Sequence, residues 1–133
     1  MDNLPFEYQD LISDDIKAFA YLSTIMEDGS PQVTPIWFNY TKDYILINSA
    51  KGRVKDRNMR TRTKVALAIQ DPKNPYRYIQ IRGKVIEVTE DGAKAHIDIL
   101  AKKYIGKDAY PFSVPGEIRV IYKILPEHVV SHG

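Results

Sequence analysis

The residues best placed to do chemistry lie between Tyr44 and Asp71, in the stretch YILINSAKGRVKDRNMRTRTKVALAIQD. Lys51, Arg53, Lys55, Arg57, Arg60, Arg62 and Lys64 stand there against a single acid between them, Asp56. An apolar strand runs into a small polar turn, then a short cationic helix, then a second apolar strand. A strand end that opens a helix binds anions well, because backbone N–H groups and the positive helix terminus point the same way. In a helix starting near Lys51, positions 51, 55 and 58 share one face, so Lys51, Lys55 and Asn58 project together. The preceding Asn48, Ser49 and Ala50 are small, Ser49 adds a hydroxyl donor, and Gly52 leaves the approach uncrowded. Such equipment suits a phosphate ester. A charge run is also commonly no more than a solvated helix face, and the residues alone leave these two readings level. Nucleic acid is a third use of the same charges. It is disfavoured, because no RNA-binding aromatic signature or recognition-helix pattern accompanies them.

Few other residues offer chemistry. The chain has no cysteine, which removes disulfides, thiolate nucleophiles and Cys-ligated metals. His96, His128 and His132 have no paired acids at ligand spacing, so no metal site is expected, and no catalytic residue stands out. Tyr76 and Tyr78 share one strand face while Arg77 takes the other, and both barrel packing and ligand contact are open to them. Arg82 suits an interface ion pair as well as a ligand, and Trp37 suits core packing better than a ligand. The 133 residues are 44% hydrophobic, enough for one domain, 1–133, with a real core. A net charge of only +2 makes the basic segment a local concentration rather than a general affinity for polyanions. The acidic start MDNLPFEYQDLISDD lacks the order of a signal peptide, and no apolar run reaches transmembrane length. A soluble cytoplasmic protein with no membrane partner is expected.

Short elements must position these side chains. Leu4 to Ile12 reads as a short helix or turn. Ala18 to Met26 and Gln32 to Tyr40 read as a hairpin around Asp28-Gly29, with Pro35 marking an edge or bulge. A tight turn at Thr41-Lys42-Asp43 leads into the strand Tyr44 to Asn48. After the cationic helix, about Lys51 to Thr61, come strands Val65 to Gln70 and Tyr76 to Val88, with Gly83 at a bulge or corner. Thr89 is the expected N-cap of a helix running to about Tyr104 and stopped by Gly106. Glu117 to Ile124 forms the last strand, extending toward Val130, and His132 and Gly133 read as a loose tail. These elements make a small antiparallel barrel of mixed α+β content.

Taken in order, DGSPQVTPIWF, ILINSAKGRVKDRN and VALAIQDPKNPYRYIQIRGKVIE resemble the pyridoxamine 5′-phosphate oxidase-like superfamily of flavin-binding split barrels. Within it they look most like the branch whose members mostly use the deazaflavin coenzyme F420. Ala101 to Tyr104, Tyr110-Pro111-Phe112 and EIRVIYKI also match that branch, so the likeness runs from about Ala18 to Pro126. The resemblance implies an α+β, mainly β fold, a six-stranded antiparallel split β-barrel with short flanking helices. It implies a homodimer with cofactor sites along the subunit interface. The activity implied is an oxidoreductase that moves a hydride between F420 and a small organic acceptor, with FMN as the alternative cofactor. Asn48, Ser49, Ala50, Lys51, Arg53 and Lys55 would hold the cofactor phosphate, Lys55 standing at the family's phosphate lysine. Gln32, Val33, Thr34 and Pro35 would run beneath the ring system, and Tyr76, Arg77 and Tyr78 would reach it from the partner subunit. A flavin- or haem-binding split barrel without turnover is the rival function. The chain ends at Gly133 without the C-terminal Arg/Trp elements that bind pyridoxal in the vitamin-processing oxidase, so pyridoxamine phosphate oxidation is not expected.

Overall fold

Alternation of apolar and polar residues runs through most of the chain, and seven antiparallel strands follow from it. The computed structural model describes every residue from Met1 to Gly133. The strands are β1 (Ala20–Ile25), β2 (Pro31–Ile36), β3 (Phe38–Thr41), β4 (Tyr44–Ala50), β5 (Lys64–Asp71), β6 (Asn74–Thr89) and β7 (Arg119–His132). Their order across the sheet is β2-β1-β5-β6-β7-β4-β3. β2 and β3 sit at opposite edges yet are joined through Trp37 alone, so the sheet must curl until its two edges meet. The result is a mainly β half-barrel with few short helices.

Six strands were expected and seven are present, because Gln32 to Tyr40 is two strands rather than one. Ile36 pairs with Ala20 of β1, whereas Phe38 pairs with Ile47 of β4. Both side chains are buried in the core, but they belong to opposite edges. At the break, the Tyr104 hydroxyl accepts the Phe38 amide (3.2 Å) and donates to the Ala18 carbonyl (2.6 Å), replacing ladder bonds that the seam cannot make. Pro35 does lie on an edge strand, where its missing N–H costs nothing.

Inward positions of the strands, with Leu4, Leu11, Ile12, Ala18 and Met59 from outside them, build a core of 20 buried side chains that includes Leu22, Phe38, Ile47, Leu67, Ile81 and Tyr122. Each large apolar side chain there contributes roughly 1.5–3 kcal/mol by leaving water. A smaller cluster lies apart from that core, where α2 (Ala93–Ile105) sets Ile97, Leu100 and Tyr104 against Trp37 and Tyr110. The other α-helix, α1 (Val54–Thr61), packs on β1. A 3₁₀ turn over Phe6–Ile12 is tied to the β5–β6 hairpin by Arg77, which bonds both Asp10 and Asp71 at 2.5 and 3.0 Å.

Three boundaries differ from expectation for local reasons. α1 begins at Val54 rather than near Lys51, because Gly52 has φ +94°, outside the helical region. α2 begins at Ala93, not after a Thr89 cap; Thr89 ends β6 and its hydroxyl accepts the Asp91 amide (3.1 Å) in the turn. β7 continues to His132, whose ring stacks on Tyr78 at 5.2 Å, so that residue is no loose tail.

Gly83 occupies the expected bulge, where the β6–β7 register shifts. A Cβ at this position would meet the Leu125 carbonyl oxygen at 2.4 Å, so the strands can approach only with a hydrogen there. Gly83→Ala is expected to lose about 1–3 kcal/mol of stability through this backbone clash. Urea unfolding checks it, and Gly29→Ala, with open space around its Cβ but φ +88°, separates clash from backbone strain.

Candidate functional site

A cleft of about 380 Å³ opens at the seam where β2 runs into β3. Pro35, Ile36 and Trp37 line it from the end of β2, Asn48 from β4, and Arg119 from β7. Arg53 and Lys55 enter from the start of α1. Apolar lining comes from Phe19, Ile97, Leu100, Tyr110 and Phe112. Trp37 lies flat on Tyr104 (5.3 Å, 6°) and meets the edge of Tyr110 (6.0 Å, 90°), while Tyr110 meets Phe112 edge-on at 5.5 Å. Aromatic walls beside cations suit a planar ligand with an anionic group.

The electrostatics of the cleft are one-sided. Of the cations Arg53, Lys55 and Arg119, only the two arginines share a carboxylate, Glu117, which lies 2.8 Å from Arg119 Nη1 and 3.7 Å from Arg53 Nη2. Lys55 has no carboxylate partner; its Nζ donates only to Thr34 Oγ1 at 3.2 Å. Burial holds its pKa below the usual lysine value, and the nearby Arg53 and Arg119 push it the same way. A cation this poorly compensated gains from an oxyanion, which offsets both lost solvation and like-charge repulsion.

The other cations of the basic segment are mostly engaged elsewhere. Lys51 precedes the helix and pairs with Glu90 at 3.1 Å, so it does not share a face with Lys55. Asn58 is buried against β1, donating to Thr24 Oγ1 at 3.0 Å. Arg57 caps the Gly52 carbonyl (2.7 Å), and Arg62 bonds the Ile25 carbonyl (2.7 Å). Asp56, only 2% exposed, accepts from the Gly52 amide (2.8 Å), Arg60 Nε (2.9 Å) and the Tyr122 hydroxyl. The amides of the turn just before α1 are also spent internally. Lys51 N donates to the Ile118 carbonyl (2.8 Å), Gly52 N to Asp56, and Arg53 N to the Ala50 carbonyl (3.3 Å). Arg53, Lys55 and Arg119 are the side-chain cations this cleft offers an anion.

Of the residues singled out in the sequence, the structure gathers Pro35, Asn48, Arg53 and Lys55 at the cleft, with Thr34 against Lys55. Ala50 is buried where β4 ends. Ser49 is buried with an unpartnered Oγ, and strand alternation puts it on the face of Ile45 and Ile47, opposite Asn48. Gln32 accepts from Thr24 Oγ1 (3.1 Å), and Val33 points outward and is exposed. Tyr76, 78% exposed, Arg77 and Tyr78 lie at the β5–β6 hairpin and do not line the cleft. Arg119, which the sequence did not single out, lines the cleft, and His96, noted there only as lacking metal-ligand spacing, lies behind Asn48 with a pKa that burial and then Arg119 push down to about 4. Helical spacing already placed His96 beside Ile97 and three residues from Ala93 on the inner face of α2, which was the available signal.

Fold and cleft together define a mainly β half-barrel with a cationic, aromatic-walled cleft at its seam. The model for the pyridoxamine 5′-phosphate oxidase family matches residues 7–133, and the chain belongs to that family. An F420 reductase structure is 29% identical with TM-score 0.82, over 96% of this chain and 98% of its own. A conserved hypothetical protein from Mycobacterium tuberculosis is 19% identical with TM-score 0.75, covering 97% of this chain and 84% of its own. A putative pyridoxamine 5′-phosphate oxidase from Lactobacillus delbrueckii is 22% identical with TM-score 0.66, covering 98% and 95% respectively. No curated protein matches the chain in sequence. No helix is long and apolar enough to cross a membrane.

Proposed function

We propose that this chain, as one domain over residues 1–133, is an oxidoreductase that transfers a hydride between coenzyme F420 and a small organic acceptor. The observation that carries the reading is Lys55, a half-buried ammonium without a carboxylate at the mouth of an aromatic cleft. Its situation fits a phosphoryl group, and Trp37, Tyr110 and Phe112 fit a planar ring. The 29% identity to an F420 reductase supports the deazaflavin over FMN. When bound, F420 supplies the hydride chemistry; the protein supplies binding and orientation. Arg53 and Lys55 neutralise the phosphoryl charge, and β2, through Gln32, Val33, Thr34 and Pro35, is the strand assigned to the ring.

A homodimer belongs to the same proposal. Tyr21, Val33 and Val130 leave apolar surface exposed on the outer face of the sheet, beside the small Ala66 and Ala68. A second copy is the occupant proposed there, bringing its Tyr76, Arg77 and Tyr78 toward the cofactor.

Purified protein mixed with F420, FMN or haem tests the reading by absorbance and by sedimentation. Saturable binding of F420 to a dimer, with deazaflavin reduction or oxidation coupled to an added acceptor, is the expected result. Binding of FMN alone moves the assignment to an FMN-dependent oxidoreductase. Binding of haem alone, or of none of the three, overturns the enzyme reading.

A further inference from the structure

Arg119 is only 9% exposed, yet it lines the cleft beside Lys55. Its Nε donates to Asn48 Oδ1 (2.8 Å), its Nη1 to Glu117 Oε1 (2.8 Å), and the Tyr110 ring covers it at 5.2 Å. Its Nη2 engages no protein acceptor. The guanidinium is thus fixed on several sides with donors left over, and a guanidinium fork in that state suits an oxyanion.

What fixes Arg119 is a chain of groups with one permitted orientation. Asn48 can offer Oδ1 to Arg119 only if its Nδ2 points away, and Nδ2 donates to the Ala93 carbonyl (2.9 Å) and to His96 Nδ1 (3.1 Å). His96 Nδ1 must then accept, so the proton sits on Nε2, which donates to Asn39 Oδ1 (2.7 Å). Were Nδ1 protonated, it would oppose the Asn48 amide. Asn48 would be driven to turn over, setting its own donors against Arg119. Burial and the nearby Arg119 keep the imidazole neutral, as the chain requires.

We propose that Arg119 is an anion-binding group of the cleft, and that His96, acting through Asn48, is the residue that positions it. The proposal rests on the cofactor reading above, and adds to it a second cation beside Lys55 for the phosphoryl group, with the brace that aims it.

The test compares each cofactor with the same ring system lacking its phosphoryl group: FMN with riboflavin, and F420 with its phosphate-free deazaflavin riboside. Fluorescence titrations use wild type, Arg119→Gln, His96→Leu and Lys55→Ala. Arg119→Gln should weaken the phosphorylated ligand roughly 10- to 100-fold and leave the phosphate-free ring nearly unchanged. His96→Leu should show the same selective loss, smaller in size. Equal loss for both ligand forms would make His96 a packing residue and overturn the positioning role. Should His96→Leu fail to fold, NMR of wild type decides: the Arg119 Nε–H and Asn48 side-chain signals should shift with the phosphorylated ligand and not with the other. Unshifted signals overturn the proposal. If Lys55→Ala loses affinity and Arg119→Gln does not, this inference fails alone. If no tricyclic ligand binds wild type, the cofactor reading fails and this inference with it.

Discussion

Lys55→Ala is expected to lose cofactor affinity by about 1.5–3 kcal/mol, the usual scale of a charge-assisted hydrogen bond. The same change should leave folding stability unchanged or slightly raised. The two signs differ because of what surrounds the ammonium. In the free protein Lys55 is paired with a neutral hydroxyl and repelled by Arg53 and Arg119, so its charge is a burden. Its pKa is lower folded than unfolded, so below the folded value the charged form costs stability. That cost is relieved as pH rises from the folded toward the unfolded value. Removing the charge removes the cost at neutral pH, whereas removing it from a phosphoryl complex removes a contact. Lys94→Ala is the control, an exposed α2 lysine paired with Asp98 at 2.9 Å, and it should change neither quantity appreciably. Calorimetric titration with F420 or FMN, alongside urea unfolding of the free protein, reads both. Equal titration curves for the two variants would remove Lys55 from the site.

Asp56→Ala should be the more damaging substitution to the fold, at about 3 kcal/mol. Asp56 holds three donors at once, joining α1 to the turn before it and to the barrel interior through Tyr122. Its loss leaves the Tyr122 hydroxyl buried without an acceptor and releases the Gly52 amide. Arg60→Ala should cost far less, about 0.5 kcal/mol, because Arg60 is exposed and the pair is a simple i, i+4 contact. Burial raises the Asp56 pKa, but the Gly52 amide, Tyr122 and Arg60 outweigh it and leave the carboxyl below the ordinary 3.8. A carboxyl depressed by folding stabilises above its unfolded value and loses that contribution as pH falls through the folded one. Asp56→Asn should therefore flatten the stability profile below about pH 4. Unfolding of both proteins across that range checks it, and parallel profiles would deny Asp56 the role. Because Asp56 also fixes the turn that precedes Lys55, part of its loss should appear in cofactor affinity.

Much of this was legible along the chain. The Asp28-Gly29 hairpin, the Gly83 bulge and the stop of α2 at Gly106 follow from residue types whose backbone preferences act locally. The local concentration of positive charge was legible for the same reason, since charge density is a property of composition. What failed were readings that assumed neighbours in sequence stay neighbours in structure. Gln32 to Tyr40 reads as one strand, and nothing local shows that Trp37 carries the chain from one sheet edge to the other. Lys51 and Lys55 have helical spacing, but a left-handed Gly52 and the Asp56 carboxylate start the helix later.

The amino-acid order by itself determined which segments become strands and helices, where the chain turns, and that a cluster of cations lies beside a strand end. Those are short-range consequences of side-chain shape and backbone freedom. Which of the cations remain available to a ligand was decided only by tertiary structure. Glu90, Asp56 and the Gly52 and Ile25 carbonyls engage Lys51, Arg60, Arg57 and Arg62, two of these pairs within the segment and two reaching distant strands or turns. Lys55 is left uncompensated, and Arg119 arrives beside it from 64 residues further on, because curling the sheet brings β7 and β4 against the start of α1. Charge is written in the sequence, but its neutralisation depends on distances that exist only once the sheet has closed.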